Sequence, residues 1–145
     1  MTKYNETRIV QHTPNQMYEL VASVENYPEF LPWCIASRII EKNDTIMVAD
    51  LIVGFQVFRE KFRSRVSLNS KRKTIQVIYE EGPFKYLTNK WEFKKHEKGC
   101  EIFFKLDFEF KNIIFQSLME RLFSEAVKKM VAAFENRANK LYRIL

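Results

Sequence analysis

The sequence predicts an α+β fold in which a curved antiparallel sheet wraps around one long C-terminal helix. Three observations carry this expectation. From Ile35 to Lys111, strand-like runs follow one another, separated by short polar or glycine-containing turns. The last run alternates: Cys100, Ile102, Phe104, Leu106, Phe108 and Phe110 fall on one face, against Glu101, Phe103, Lys105, Asp107, Glu109 and Lys111 on the other. After Asn112 the apolar period changes from two to 3.6, and neither glycine nor proline interrupts it.

Taken in order, Thr2 to Gln11 reads as a strand on composition, although its alternation is poor. Thr13-Pro14-Asn15-Gln16 then supplies a helix start: a threonine N-cap, proline at N1 and glutamine at N3. Met17, Leu20, Val21 and Val24 continue it at helical spacing. Pro28 and Pro32 forbid a long helix from Glu25 to Cys34, because each proline pushes its predecessor out of the α region. That aromatic segment is expected to be a short helical turn, with Tyr27 to Trp33 as a lid or entrance. Turns at Lys42-Asn43-Asp44, Asn69-Ser70-Lys71, Glu81-Gly82-Pro83 and Glu97-Lys98-Gly99 divide the remainder into a meander of at least five strands. The final helix, with Phe115, Leu118, Met119, Leu122, Phe123, Val127, Met130, Val131, Phe134, Ala138 and Leu141 on one side, spans about 45 Å at ~1.5 Å per residue. Its stripe is expected to lie along the inner face of the meander. Its other face carries Glu120, Arg121, Lys128, Lys129, Glu135 and Arg137, so it does not span a membrane.

The 145 residues are expected to form a single domain, 1–145, large enough for a core without staples. An aromatic share of 14%, with 13 Phe, requires something large and apolar to be filled or covered. Cys34 and Cys100 have no ligand spacing and are expected to be small buried hydrophobes. No apolar signal region follows Met1, and no Arg-rich transit segment precedes the first strand. A cytoplasmic chain, bacterial or already mature, is therefore expected, with any membrane contact peripheral to the inner membrane.

Catalytic chemistry finds no apparatus in the sequence. There is no phosphate loop, HExxH or GxSxG, and the two histidines, His12 and His96, read as surface residues. Asp50 and Glu60 are the candidate inward carboxylates, and an edge or outward position is the expectation for Asp50, which has no base partner. No catalytic residue, metal site or cofactor is expected, and the protein reads as a non-enzymatic binder. A net charge of +6 admits an anionic partner. Arg59, Lys61, Arg63 and Arg65 fall on one face of their strand. They make either a solvated face neutralised by cross-strand carboxylates or a contact for RNA, a ribosome or an anionic membrane surface.

The segments Val24-Glu25-Asn26-Tyr27-Pro28-Glu29-Phe30-Leu31-Pro32-Trp33-Cys34 and Glu81-Gly82-Pro83-Phe84-Lys85-Tyr86-Leu87-Thr88-Asn89-Lys90-Trp91-Glu92-Phe93 resemble the coenzyme Q-binding START-domain family. So do Val53-Gly54-Phe55, Phe62-Arg63-Ser64-Arg65-Val66 and the stretch from Met130 to Ala138, in the same order. The resemblance implies a START-like helix-grip fold and a pocket for a polyprenyl quinone or related lipid, with ubiquinone the leading partner. By residue pattern alone, the apolar set could equally be a solid core. The resemblance makes it a pocket formed by Tyr27, Phe30, Trp33, Phe62, Leu87, Trp91, Phe104, Leu106, Phe108, Met119, Phe123, Met130 and Phe134. The family includes quinone-binding proteins that support respiration and the bacterial ribosome-association toxin. A ribosome-associated inhibitor of translation, acting through the basic face, is therefore the second expectation. An aromatase/cyclase-like enzyme would need an inward acid/base pair that the sequence does not offer.

Overall fold

A computed structural model of the chain describes residues 2–55 and 58–145, apart from the side chains of Thr2, Phe55, Phe58, Met119, Leu122, Phe123 and Ser124. The alternating runs become β1 (Thr2–Val10), β2 (Cys34–Lys42), β3 (Ile46–Phe55), β4 (Phe58–Asn69), β5 (Thr74–Glu81), β6 (Phe84–His96) and β7 (Gly99–Phe110). All pairings are antiparallel, in one seven-stranded sheet of order β1-β7-β6-β5-β4-β3-β2. Hairpins join β2 through β7 in sequence. β1 alone is displaced, pairing with β7 at the far edge, so the segment between β1 and β2 must carry the chain from one edge of the sheet to the other.

That crossing is made by α1 (Pro14–Ala22) and a 3₁₀-helix (Val24–Glu29). The expected cap forms in full: Thr13 Oγ1 accepts from the Gln16 amide at 3.1 Å, and the Thr13 amide donates to Gln16 Oε1 at 3.0 Å. Such caps contribute about 1 kcal/mol. Met17, Tyr18, Leu20 and Val21 are the buried residues of α1, and the Tyr18 ring meets Phe93 of β6 edge-on.

The curvature has identifiable causes. Register shifts interrupt β2 twice and occur once each in the β4–β5 and β6–β7 pairings, and each such irregularity bends and twists the sheet locally. Two glycines permit tight approaches in the turns. A Cβ on Gly99 (φ +145°) would lie 2.5 Å from the Val10 carbonyl oxygen, and one on Gly82 (φ +142°) would lie 2.7 Å from Phe62 Cβ.

Asn112 caps the last helix, α2 (Ile113–Leu141), accepting from the amides of Ile114 at 2.9 Å and Phe115 at 3.2 Å. The helix is continuous, as the unbroken 3.6 period predicts. Val127, Val131, Phe134 and Ala138 of the expected stripe are buried, but two of its members, Leu118 and Leu141, are corrected by the structure: they are 45% and 51% exposed. Ile113 and Ile114, outside the stripe, are each 81% exposed. Among the described side chains, the fully buried ones of α2 all lie in its C-terminal half. Near its start, Phe115 leans on Phe110 of β7, with ring centroids 5.8 Å apart. Among the described residues, no helix is long and apolar enough to cross a membrane.

Candidate functional site

Two aromatic clusters hold the concave face. In the larger, Phe134 of α2 is the hub, its ring 5.3 Å from Tyr27, 5.2 Å from Phe30 and 5.3 Å from Trp91, all edge-on. In the smaller, Phe84, Phe108 and Phe110 pack together near the β6–β7 ends, with Phe62 and Phe115 against them. Under α2, a cavity of about 290 Å³ opens along the concave face.

Of the residues expected to line a pocket, Tyr27, Trp33, Phe62, Leu87, Trp91, Phe104, Leu106, Met130 and Phe134 do line this cavity. Phe30 and Phe108 do not. Phe30 braces the back of Phe134, and Phe108, 1% exposed, fills the smaller cluster; both are core rather than wall. The side chains of Met119 and Phe123 lie outside the described residues. The Tyr27 to Trp33 segment contributes Tyr27, Leu31 and Trp33 to the wall itself.

On the β3–β4 side of the wall, sequence reasoning named Phe62 and missed the rest. Ala49, Leu51 and Val53 on β3 and Phe62, Ser64 and Val66 on β4 face the cavity at alternate positions. The readable signal was parity, since the same alternation that sets Arg63 and Arg65 outward sets Ser64 inward between two apolar residues.

The described wall carries no charged side chain. Its polar groups are mostly engaged within the protein. Trp91 Nε1–H donates to Asn89 Oδ1 at 2.9 Å, Asn89 Nδ2 donates to the Lys105 carbonyl at 2.8 Å, and the Tyr27 hydroxyl donates to the Val21 carbonyl. Burial pushes the Cys34 thiol up to about 11 and raises the Tyr27 phenol further, so both stay neutral near pH 7. The Cys34 thiol is thus not a nucleophile at that pH. Among the described residues, no group of three or more His, Cys, Asp or Glu could hold a metal ion.

The convex face has the opposite character. Asp50 projects outward, as expected, yet is only 5% exposed because cations cover it. Arg63 grips both carboxylate oxygens, at 2.7 and 3.0 Å, and Lys61 Nζ lies 3.5 Å away. The hydrogen bonds from Arg63 hold the Asp50 carboxyl below the usual carboxylate range. Arg65 pairs with Glu80 at 3.0 Å. Among the described residues, three of the four cations in the stripe thus pair with carboxylates across strands, Lys61 and Arg63 sharing Asp50. Glu60 is half-buried and does not line the cavity. Elsewhere on this face, Lys3, Lys90 and Lys105 border a polar groove, with Lys90 and Lys105 directly opposite each other on β6 and β7.

The surface reading of His12 is wrong. His12 is fully buried, and its Nε2 shares a 2.6 Å hydrogen bond with Asn139 Oδ1 of α2. It ties the β1–α1 junction to the helix C-terminus. His96 is in the β6–β7 turn as expected, accepting from the Lys98 amide at 3.1 Å.

Comparison with known proteins places this geometry. The family described as polyketide cyclase / dehydrase and lipid transport matches residues 10–135. The chain is 33% identical to the ribosome association toxin RatA of Rickettsia prowazekii, covering 99% of this chain and 100% of that protein. It is also 33% identical to the mitochondrial coenzyme Q-binding protein COQ10 homolog B of Xenopus laevis, covering 97% of this chain and 59% of that protein. A START superfamily protein from Mycobacterium smegmatis superposes with a TM-score of 0.84 over 97% of this chain and 99% of that one, at 18% identity, a likeness of fold. The chain belongs to the polyketide cyclase / dehydrase and lipid transport family, with a START-like helix-grip fold.

Proposed function

We propose that this protein binds an uncharged, predominantly apolar ligand of the polyprenyl-quinone type in the cavity beneath α2, as a carrier and without a catalytic step. The observation that carries the reading is the cavity itself, about 290 Å³ with no charged side chain in its described wall. A charged ligand would be costly there, whereas each buried CH₂ of a prenyl tail contributes ~0.8 kcal/mol. The similarity to a coenzyme Q-binding protein supports the choice of quinone. The absence of an acid/base pair from the described wall weighs against a cyclase. A cytoplasmic location, with visits to an anionic membrane surface to exchange ligand, fits this role.

The test is organic extraction of protein purified from quinone-producing cells, which should yield near-stoichiometric ubiquinone or a related prenyl lipid. Met130 lines the cavity from α2, so Met130→Trp should fill it and deplete that lipid while the protein stays folded. Wild-type protein that carries no lipid and takes up no added quinone would end the carrier reading.

A second reading, a ribosome-associated inhibitor of translation, is favoured by the full-length match to RatA and by the convex groove with its facing Lys90 and Lys105. Like charges directly opposite are destabilising; Lys90 pairs with Glu92 at 3.0 Å and Asp107 borders the groove, so an anionic partner would compete with these carboxylates for the two lysines. The charge-reversed pair Lys90→Glu with Lys105→Glu should then lose co-sedimentation with ribosomal subunits, and wild-type binding should weaken steeply with salt. No co-sedimentation of the wild type at low salt would remove this reading.

A further inference from the structure

One hydroxyl in the cavity wall has no hydrogen-bond partner among the described residues. Ser64 lies on β4 between Phe62 and Val66, all three facing the cavity, and is 4% exposed. Its Oγ stands unpaired there, whereas Tyr27, Cys34, Asn89 and Trp91 of the same wall each make a side-chain hydrogen bond. A buried hydroxyl left unpaired costs stability, and a serine in mid-strand gains nothing in packing over alanine to offset that cost. The directly opposed residue on β5, Tyr79, turns its ring onto Phe84 and does not line the cavity.

We propose that Ser64 is the polar anchor of the cavity, its hydroxyl donating to a neutral oxygen of the ligand, such as a quinone or other ring carbonyl, while the tail lies on the apolar wall. The assignment rests on the cavity-binding reading above and specifies the ligand further: an uncharged lipid with an oxygen acceptor on its headgroup. Oγ is shielded in the rotamer it adopts here, so the pairing uses another staggered χ1 position, reached by rotation about Cα–Cβ.

The roles of anchor and mere filler predict opposite signs for Ser64→Ala. Without ligand, the variant should unfold at the same temperature as the wild type or higher, because an unpaired buried hydroxyl has been removed. Its affinity for prenyl-1,4-benzoquinone, measured by calorimetry, should fall about three- to tenfold, the worth of one hydrogen bond. Its affinity for prenylbenzene, which lacks the oxygens, should not change. The infrared carbonyl stretch of the bound quinone should be lowered in the wild type and return towards the free value in the variant. Equal losses for both probes, or quinone binding and a carbonyl stretch unaffected by the substitution, would overturn the anchor while leaving the carrier reading standing. If neither probe binds the wild type, the carrier reading fails and the anchor fails with it.

Discussion

The two halves of α2 are made of similar residues and do different things. In the C-terminal half, Val127, Val131, Phe134 and Ala138 are all at or below 2% exposed, and polar ties fix the helix on both sides. Arg8 reaches Glu135 at 3.0 Å, His12 meets Asn139 at 2.6 Å, and the Leu145 amide donates to the Gln11 carbonyl at 3.0 Å. At the N-terminal end, Ile113 and Ile114 stand 81% exposed. The C-terminal half is both sunk in the core and the part that borders the cavity, through Ala126, Val127, Met130 and Phe134, whereas Ile113 and Ile114 stand clear of the core. An apolar stripe on a helix therefore specifies which face turns inward, but not whether anything fills the space beneath it.

The largest effect expected from this contrast is at the hub. Phe134→Ala would remove a ring that three aromatic neighbours enclose. It should cost about 3–5 kcal/mol in urea unfolding, the range for a buried Phe truncated to Ala. A loss below about 1 kcal/mol would mean that the C-terminal half is no better packed than the exposed first turn, and the contrast would collapse.

How much of this was legible in the sequence depended on whether the signal was local. The β7 alternation, the Thr13 cap and the unbroken period after Asn112 each reside in a few neighbouring residues, and each formed as expected. His12 was misread because the group that satisfies it, Asn139, is 127 residues away, and a polar neighbourhood in sequence says nothing about a partner at that distance. The cavity had the same difficulty. Phe104 and Phe108 share a parity, yet Phe104 borders the cavity while Phe108 is packed among Phe84 and Phe110, rings that come from another strand and from further along its own. The cation stripe was placed correctly by parity, but its neutralisation rests on pairings between β3, β4 and β5.

A middle-sized effect should come from the polar tie. Asn139→Ala would remove the partner of a fully buried imidazole whose other ring nitrogen, Nδ1, already has none among the described residues. Leaving a buried polar group unmatched costs about 1–3 kcal/mol. The loss should appear both in urea unfolding and as faster amide exchange in the last turns of α2, since those turns would lose one of their links to the β1–α1 junction. Unchanged exchange there would show that Phe134 alone secures the helix end.

The smallest effect belongs at the exposed end. Ile114 follows the Asn112 cap, and its side chain is 81% exposed, so Ile114→Ala would forfeit little burial while slightly improving helix propensity. The net change in urea unfolding should stay within about 0.5 kcal/mol, as for most surface substitutions. The outcome is informative because truncation to alanine at a buried stripe position such as Val131 would cost several times more, so the pair of measurements reads out where the helix leaves the core. A loss of about 2 kcal/mol or more at Ile114 would show that the first turns of α2 are packed in solution and would make them a second anchor.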